Sequence, residues 1–309
     1  MPQKIILDTD IGDDIDDALA LGLILSSPEL HLVGVTTVFK NTVARSRQAR
    51  TLLKVAGRAD IPVVAGCGTI LSPHAEIGFD PRRAYLDQEL PIQEAASLPE
   101  DKLSALDPHH GVDFIIETVL EGRGDIILVT IGPMTNVAMA ITKESHIISR
   151  IPRIVSMAGA FDRLFSEWNV RCDPVATALL FGSGIPMDII GLDVTTKVQL
   201  RDEDLAALRR CQSPLAQKLV ESIDLWVLHN GWAHRIGNRP IMHDPLAILT
   251  LVAPDIVEWH TGVASIELQG SVTYGLTTFV EKVSGPHRYA YSVDTERALS
   301  LWMERVAGH

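Results

Sequence analysis

The sequence predicts an α/β protein with an open, mostly parallel sheet and helices on both faces. Short runs of Val, Ile and Leu alternate with helix-length amphipathic segments along most of the chain. Continuous apolar strands are typical of parallel strands that are buried on both faces, and a helix between two strands is the connection that parallel pairing needs. Ligands in such folds bind at the carboxyl ends of the strands, so functional residues are expected there.

The predicted elements follow in order along the chain. Apolar runs predict strands at residues 4–8, 32–38, 61–66, 125–132, 153–159 and 187–193. Helices are predicted over about 16–27, 42–56 and 214–234, and a closing helix over 294–306 follows an added hairpin made of VASIEL and TTFVEK. Residues 67–108 hold several prolines and little periodicity, which predicts an insertion or flap. We expect one domain over residues 1–309.

The overall charge limits the classes of partner. There are 27 Lys and Arg against 39 Asp and Glu, a net charge of −12. This acidity argues against nucleic acid and anionic membranes as partners, because both attract basic proteins. The three cysteines, Cys67, Cys172 and Cys211, lack metal-ligand spacing and favour a reducing compartment. With no signal-peptide core or bilayer-length apolar run, we expect a cytoplasmic protein.

The most informative segment is LDTDIGDDIDDALAL, an acidic loop between the first strand and its helix. It holds six carboxylates: Asp8, Asp10, Asp13, Asp14, Asp16 and Asp17. Helix capping and the helix dipole account for one or two of them, at about 0.3–1 kcal/mol each. The others repel one another, and crowded carboxylates take up protons or recruit a cation. Oxygen donors without a His/Cys cluster favour Ca²⁺ or Mg²⁺ over Zn²⁺.

Two other known motifs share features with this acidic loop. An EF-hand is excluded, because it needs Gly at its sixth position and Glu at its twelfth, where this loop has Asp13 and Leu19. A hydrophobic strand that ends in Asp-x-Asp also resembles the haloacid-dehalogenase phosphatases. A metal-dependent phosphohydrolase that uses Asp8 or Asp10 is therefore an alternative.

The segment KIILDTDIG…DDALAL resembles the opening signature of the inosine-uridine nucleoside hydrolase family. Further similar segments follow in family order over most of the chain: VTTVFKN ending at Asn41, LVTIGPMTNVAMA from Leu128, MAG from Met157, EWN at 167–169, DP at Asp173, GLDVT from Gly191 and HDP from His243. The phosphatase alternative explains neither EWN nor HDP. The resemblance implies the Rossmann-like nucleoside hydrolase fold, bound Ca²⁺, hydrolysis of ribonucleosides to ribose and free base, and a homodimer or homotetramer.

The resemblance also implies which residues bind the metal. Asp10 matches a metal ligand that is also the catalytic general base, and Asp17 matches a chelating ligand. Ile131 matches a residue whose backbone carbonyl binds the metal, and Asp244 matches a ligand of both metal and ribose. Breaking an N-riboside bond passes through an oxocarbenium-like sugar, so negative groups around the ribose and a base that activates water suit the reaction.

Other matched residues concern the ribose. Asp16, Asn41, Glu167 and Asn169 match residues that contact its hydroxyls. Two extra residues separate Gly12 from the Asp16–Asp17 pair, compared with the commoner form of the family motif, so Asp14 is an alternative for one member of the pair.

The remaining candidate residues concern the nucleobase. His243 is a candidate proton donor to the leaving base, because His titrates near neutral pH, with orientation of the loop before Asp244 as an alternative. Trp168, His229 and Trp232 are candidates for a base pocket, although a Trp at helical spacing is more often part of a core.

One departure from the family pattern keeps a non-enzymatic alternative open. The loop from Ala160 to Ser166 is shorter than in familiar members and lacks the Asn that usually precedes Glu-x-Asn. A protein of the same fold that binds nucleosides or calcium without turnover is thus a further possibility.

Overall fold

Nine strands form one sheet in the computed structural model of the protein, which describes residues 1–72 and 90–308. They are β1 (Gln3–Thr9), β2 (Leu30–Thr37), β3 (Val63–Ala65), β4 (Ile126–Thr130), β5 (Ile154–Met157), β6 (Met187–Ile190), β7 (Val257–Ile266), β8 (Thr277–Glu281) and β9 (His287–Val293). The order across the sheet is β3-β2-β1-β4-β5-β6-β9-β7-β8. Of these nine strands only β7 runs in the opposite direction, so the prediction of a mostly parallel sheet is confirmed.

Twelve α-helices connect or flank these strands within the described ranges. They are α1 (Asp16–Leu25), α2 (Thr42–Val55), α3 (Gly111–Glu121), α4 (Thr135–Lys143), α5 (Trp168–Cys172), α6 (Pro174–Gly182), α7 (Leu192–Thr195), α8 (Asp202–Arg210), α9 (Pro214–His229), α10 (Gly231–Arg235), α11 (His243–Val252) and α12 (Thr295–Ala307). Short 3-10 helices lie at Ile92–Ala96, Glu100–Lys102, Ser145–Arg150 and Pro254–Ile256. None of the helices in this part of the chain is long and apolar enough to cross a bilayer.

Successive residues of β1 enter two different cores, because strand side chains point alternately to opposite faces of a sheet. Ile5 and Leu7 pack in a core with residues of α1, α2, α9, α11 and α12. Ile6 packs in a second core with residues of α3, α4 and α6. Helices therefore cover both faces of the sheet, as predicted.

Two predictions about the second half of the chain need correction. The predicted helix over 214–234 is wrong as one element: α9 ends at His229 and α10 begins at Gly231. Asn230 has an extended backbone, and its side chain accepts a hydrogen bond from the Trp232 N–H at 2.9 Å, the geometry of a helix N-cap. The predicted hairpin exists as β7 and β8, but β9, which the sequence analysis missed, joins that hairpin to β6 in the main sheet.

The predicted flap at 67–108 falls partly on residues 73–89, which lie outside the described residues. After them, the segment 90–104 runs along α2 and is held by two arginines of that helix. Arg47 pairs with Glu94, and Arg50 donates to the Glu100 carboxylate at 2.6 and 2.9 Å. This part of the predicted insertion is therefore anchored to the helix that follows β2.

The strand order reverses between β1 and β4, because the chain continues from β1 to β2 on one side and returns at β4 on the other. Carboxyl ends of strands at such a reversal border a crevice in which α/β proteins bind ligands. Asp10 follows β1 and Ile131 follows β4. The Ile131 N–H donates to the Asp8 carbonyl at 2.9 Å, which keeps these two strand ends together. The acidic loop therefore lies at this crevice.

Replacement of Trp302 by Ala tests whether α12 belongs to the core. The indole is fully buried, and its N–H donates to the Leu19 carbonyl at 3.3 Å. We expect Trp302→Ala to lower the free energy of unfolding by about 3–5 kcal/mol in urea denaturation, through the cavity it leaves. Trp232→Ala is the matched control, because that side chain is 46% exposed and its loss is expected to change stability by about 0.5 kcal/mol or less. Equal effects of the two substitutions would contradict the assignment.

Candidate active site

Three buried carboxylates meet where two helices begin. Asp16, Asp17 and Asp244 each place one oxygen within 4.8 Å of the others. Asp16 and Asp17 lie in the first turn of α1, and Asp244 lies in the first turn of α11, a helix packed against α1. Asp16 and Asp17 are adjacent in the chain, whereas Asp244 follows Asp17 by 227 positions and reaches the pair only through the fold.

Helix capping does not explain this trio. The residues at the N-cap positions of α1 and α11 are Ile15 and Met242, neither of which makes a side-chain cap. The positive end of each helix dipole favours nearby carboxylates, but it amounts to only about half a charge per helix. Three buried carboxylates therefore exceed what the two helix ends can balance.

Burial and mutual repulsion raise the pKa values of these acids. Desolvation is the main cause for Asp16, Asp17 and Asp244, and the pKa of each lies well above its usual value. Asp10 is not one of the three, yet its negative charge raises the pKa of both Asp17 and Asp244 further. Without a cation, the cluster is expected to hold protons near neutral pH.

Asp10 itself lies against the loop that follows β4. Burial raises its pKa to about 6, and the nearby Arg45 guanidinium opposes that increase. A Cβ atom at Gly132 would come within 2.7 Å of the Asp10 Oδ1 atom, so only glycine leaves room for this carboxylate. The sequence analysis did not single out Gly132.

Asp8 has a structural position. It is 1% exposed, and its Oδ1 atom accepts hydrogen bonds from the Thr36 hydroxyl at 2.6 Å and from the Asn136 amide at 2.7 Å. Burial raises its pKa to about 7, and its Oδ2 atom is buried without a hydrogen-bond partner. Asp8 therefore supports the acidic loop through these hydrogen bonds, and its burial disfavours it as a nucleophile for a phosphohydrolase.

Asn169 and Ile131 are in direct contact. The Asn169 side-chain amide donates to the Ile131 carbonyl at 3.0 Å and to the Met157 carbonyl at 3.1 Å. It thereby ties the ends of β4 and β5 together. A carbonyl oxygen has two lone pairs, so this hydrogen bond leaves the Ile131 oxygen able to bind a cation.

Glu167 is a buried N-cap. Its carboxylate accepts hydrogen bonds from the backbone N–H groups of Asn169 at 2.8 Å and of Val170 and Gly159 at 3.1 Å. Burial nevertheless raises its pKa to about 7. These contacts hold α5 beside the end of β5. Capping of α5 is therefore a sufficient structural reason for a glutamate at this position, whether or not it contacts a substrate.

Asn41 precedes α2 as its N-cap, and His243 begins α11 next to Asp244. Asn41 caps α2 by accepting a hydrogen bond from the Ala44 N–H at 3.0 Å. The Nδ1 atom of His243 lies 2.7 Å from the Thr195 hydroxyl, and burial lowers the pKa of His243 to about 4. The imidazole is therefore neutral near pH 7 in the ligand-free protein. The predicted roles of both residues toward a substrate stay predictions.

The two acidic residues that competed for one role differ in position. Asp16 belongs to the buried trio, whereas the Asp14 carboxylate accepts a hydrogen bond from its neighbour, the Ile15 N–H, at 2.8 Å. The trio thus contains Asp16 and not Asp14, and which of the two contacts a ribose stays a prediction.

The candidate base-pocket residues are outside the core. Trp168 is 52% exposed, Trp232 is 46% exposed and His229 is also exposed, whereas Trp226, on the same helix as His229, is fully buried. Core packing, the alternative for a tryptophan at helical spacing, therefore describes Trp226 but neither Trp168 nor Trp232. Contact of the exposed rings with a nucleobase stays a prediction.

Sequence reasoning missed two buried residues that shape the site. Asn136 of α4 donates to Asp8 and to the Thr37 carbonyl, and its Oδ1 atom accepts from the Cys67 N–H at 2.7 Å. Arg45 of α2 binds the acidic loop from the other side. Asn136 lies within LVTIGPMTNVAMA, one of the segments that resemble the family. The sequence of a helix, however, does not tell whether its asparagine or arginine side chains are buried or exposed.

The residues fit a hard divalent cation. The donors available are carboxylate and carbonyl oxygens, the ligand type that Ca²⁺ and Mg²⁺ prefer. The buried trio carries more negative charge than its surroundings balance, and the space beside Gly132 is kept open for the Asp10 carboxylate. At the reversal point of a parallel sheet, this arrangement defines an α/β protein with a candidate site for a hard divalent cation.

Comparison with known proteins identifies the family. Residues 5–300 match the family model described as "Inosine-uridine preferring nucleoside hydrolase". The chain is 33% identical to the pyrimidine-specific ribonucleoside hydrolase RihA of Photobacterium profundum over the full length of both chains. It is 32% identical to uridine nucleosidase 1 of Arabidopsis thaliana, over 87% of this chain and 79% of that protein. The chain belongs to the nucleoside hydrolase family, as its sequence motifs predicted.

Solved structures agree with this assignment. A plant nucleoside hydrolase matches with a TM-score of 0.84 and 28% identity, and covers 100% of both chains. A purine-preferring ribonucleoside hydrolase from Gardnerella vaginalis matches with a TM-score of 0.81 and 28% identity, over 99% of this chain and 98% of that chain. The nucleoside hydrolase fold predicted from the motifs is confirmed, and the protein is a nucleoside hydrolase.

The raised pKa values predict how pH affects the stability of the metal-free protein. Groups such as Asp8 and Asp10 bind more protons when folded than when unfolded, since their ordinary pKa is 3.8. Stability is then lost as pH rises through about 6 to 7. In chelator, we expect urea denaturation to give an unfolding free energy at least about 1 kcal/mol lower at pH 8 than at pH 6.5.

Saturating Ca²⁺ is expected to abolish that decrease, because the cation replaces the protons as the balance for the buried carboxylates. His243 acts in the opposite sense, since its lowered pKa favours stability at higher pH, and its effect is largest below about pH 6.5. A metal-free protein that is equally stable at pH 6.5 and pH 8 would contradict the expected crowding of charge.

Proposed function

We propose that the protein is a Ca²⁺-dependent enzyme that hydrolyses the N-glycosidic bond of ribonucleosides to ribose and a free nucleobase. The observation that supports this most directly is the convergence of Asp16, Asp17 and Asp244 in a chain that belongs to the nucleoside hydrolase family. The proposed ligands are the carboxylates of Asp10, Asp17 and Asp244 and the backbone carbonyl of Ile131. When bound, the cation would hold the ribose hydroxyls and lower the pKa of a water molecule.

Asp10 is the proposed general base. In the metal-free protein, burial raises the pKa of Asp10 to about 6 and the Arg45 guanidinium opposes that increase. A bound divalent cation would lower this pKa and keep the carboxylate ionised, so that it could accept a proton from a water molecule that the cation would acidify. The negative charges around the ribose stabilise the oxocarbenium-like sugar.

The proposed ribose contacts come from several elements. Asp16 and Asp244 lie in the first turns of two helices, and Asn169, on α5, donates to the carbonyls of Ile131 and Met157 at the ends of β4 and β5. Asn41 and Glu167 keep lone pairs or N–H groups available in addition to their capping bonds. Their fixed positions would orient the sugar without reorganisation during the reaction.

His243 is the proposed proton donor to the departing base. With a pKa of about 4, it is neutral in the ligand-free protein, so donation from an imidazolium requires a rise in that pKa. Negative charge that develops on the departing base supplies such a rise. The Thr195 hydroxyl, 2.7 Å from Nδ1, orients the ring for this task.

We propose pyrimidine ribonucleosides, with uridine first, as the preferred substrates. The support is the naming of curated relatives at 32–33% identity, which are a uridine nucleosidase and a pyrimidine-specific ribonucleoside hydrolase. Trp168, His229 and Trp232 are the proposed contacts to the base.

The proposed assembly is a homodimer or homotetramer, and the proposed compartment is the cytoplasm. The three unpaired cysteines, Cys67, Cys172 and Cys211, are consistent with a reducing compartment.

A panel of uridine, cytidine, inosine and adenosine, with and without chelator, tests the proposal by measuring released ribose. We expect release from uridine, its loss in chelator and its recovery with Ca²⁺. Phosphate release from phosphoesters without ribose release would favour the phosphohydrolase alternative. Binding of nucleoside without either product would favour the non-catalytic one.

Asp10→Asn in the same assay should lower kcat by at least about 100-fold while the protein stays folded, because the amide cannot accept the proton from water. Asp101→Asn, an exposed acid on a 3-10 helix, is the matched control and should leave kcat unchanged. Near-normal turnover of Asp10→Asn would refute its assignment as the base.

Trp232→Ala tests the base pocket. A base that stacks on an aromatic ring gains about 1–3 kcal/mol, so loss of the ring should raise KM for uridine by roughly 5–100-fold. We expect a smaller change in kcat, since the ring contacts the base in the ground state as well. Leu228→Ala, an exposed residue on the preceding helix, serves as the control, and equal KM values for the two variants would remove Trp232 from the pocket.

A further inference from the structure

Arg45 is a buried cation that binds the backbone of the acidic loop. Its side chain is 1% exposed, although it lies on α2. The guanidinium donates to the carbonyls of Asp10 and Ile11, the latter at 3.0 Å, and to the Asp13 carboxylate at 2.8 Å. One side chain therefore holds three of the four consecutive residues from Asp10 to Asp13.

The same guanidinium also holds the neighbouring loop. Its Nε–H donates to the Phe39 carbonyl at 2.7 Å. Phe39 and Lys40 adopt φ values of 69° and 58°, a left-handed conformation that is strained for residues with a side chain. This turn ends at Asn41, a proposed ribose ligand, so Arg45 connects the loop of Asp10 to the loop of Asn41.

Asp13, the partner of Arg45, lies in the stretch 13–15, which is two residues longer than its counterpart in the commoner family motif and is here called the extension. Its other carboxylate oxygen accepts a hydrogen bond from the Ile92 N–H at 3.4 Å, and its carbonyl accepts one from the Asn230 amide at 3.3 Å. The extension is thus held by α2, by the segment 90–104 and by the turn between α9 and α10. An unconstrained insertion next to metal ligands would let them move, whereas this one is fixed on three sides.

We propose that Arg45, with Asp13 as its partner, is a positioning residue that fixes Asp10 and Asn41 relative to each other before cation and ribose bind. The inference rests on the proposed function of Asp10 and Asn41. Charge alone does not predict this role, because a guanidinium repels a nearby Ca²⁺ ion. A variant that keeps the charge of Arg45 but changes its hydrogen-bond geometry should leave the Ca²⁺ affinity unchanged if only electrostatics matters, and should weaken it if Arg45 positions Asp10 and Asn41.

Isothermal titration calorimetry of the chelator-stripped full-length protein with CaCl₂ tests the proposal. Lys keeps the charge of Arg45 but cannot supply four donors in a planar fork. We expect Arg45→Lys to weaken Ca²⁺ binding by about 10–100-fold, the range seen when partners of metal ligands are removed. At saturating Ca²⁺, its KM for uridine should also rise, because Asn41 is displaced.

The matched control is Arg50→Lys. Arg50 lies on the same helix, its side chain is 2% exposed, and it is also paired with a carboxylate, but it contacts Glu100 rather than the acidic loop. Its Ca²⁺ affinity should stay within about twofold of the parent, since it leaves every ligand in place. Asp13→Glu keeps the negative charge but lengthens the side chain, so it disturbs the geometry of the pair with little change in electrostatics, and it tests the proposal if Arg45→Lys does not fold. We expect it to weaken Ca²⁺ binding more than the control does.

Tighter Ca²⁺ binding by Arg45→Lys, or affinities of the folded Arg45→Lys and Asp13→Glu variants equal to that of Arg50→Lys, would overturn the positioning role. The parent protein keeps this outcome distinct from failure of the proposed function. A parent that binds Ca²⁺ and releases ribose leaves the function intact while the variants decide the role of Arg45. A parent that binds no Ca²⁺ overturns both the calcium site and its positioning.

Discussion

Repulsion among buried carboxylates is the constraint on which the rest of the site depends. Asp16, Asp17 and Asp244 are held within 4.8 Å of one another in a place from which water is largely removed. The packing of α1 against α11 fixes this arrangement, so the stability of two hydrophobic helices maintains an unfavourable electrostatic contact. Such a contact is relieved by protons or by a divalent cation. A cation at this place would also be able to bind and acidify a water molecule.

The sheet supplies the geometry around this trio. The reversal between β1 and β4 leaves a crevice, and the loops after β1, β2, β4 and β5 meet at its edge. Their positions are set by buried side chains that form several hydrogen bonds each: Asn136 between β1 and β2, Asn169 between β4 and β5, and Arg45 between the loops after β1 and β2. The site is therefore held by polar bonds from outside the carboxylate trio.

The sequence predicted the sheet, the helices on both faces and the acidic loop, because apolar runs and clustered charges are local patterns. It missed β9, whose segment HRYAYSV mixes polar and aromatic residues, and the break at Asn230, where a single cap ends a helical pattern. Arg45 was missed for a different reason: its burial depends on contacts with residues more than thirty positions away. Family motifs identified Asp244, but its meeting with Asp16 and Asp17 became visible only in three dimensions.

A crystal structure grown with Ca²⁺, with anomalous diffraction collected at long wavelength, tests the central claim most directly. The account predicts one strong anomalous peak per chain, bounded by carboxylate oxygens of Asp10, Asp17 and Asp244 and by the Ile131 carbonyl. A map with no peak at this position, or with the peak at another acidic group while the trio holds none, would contradict it.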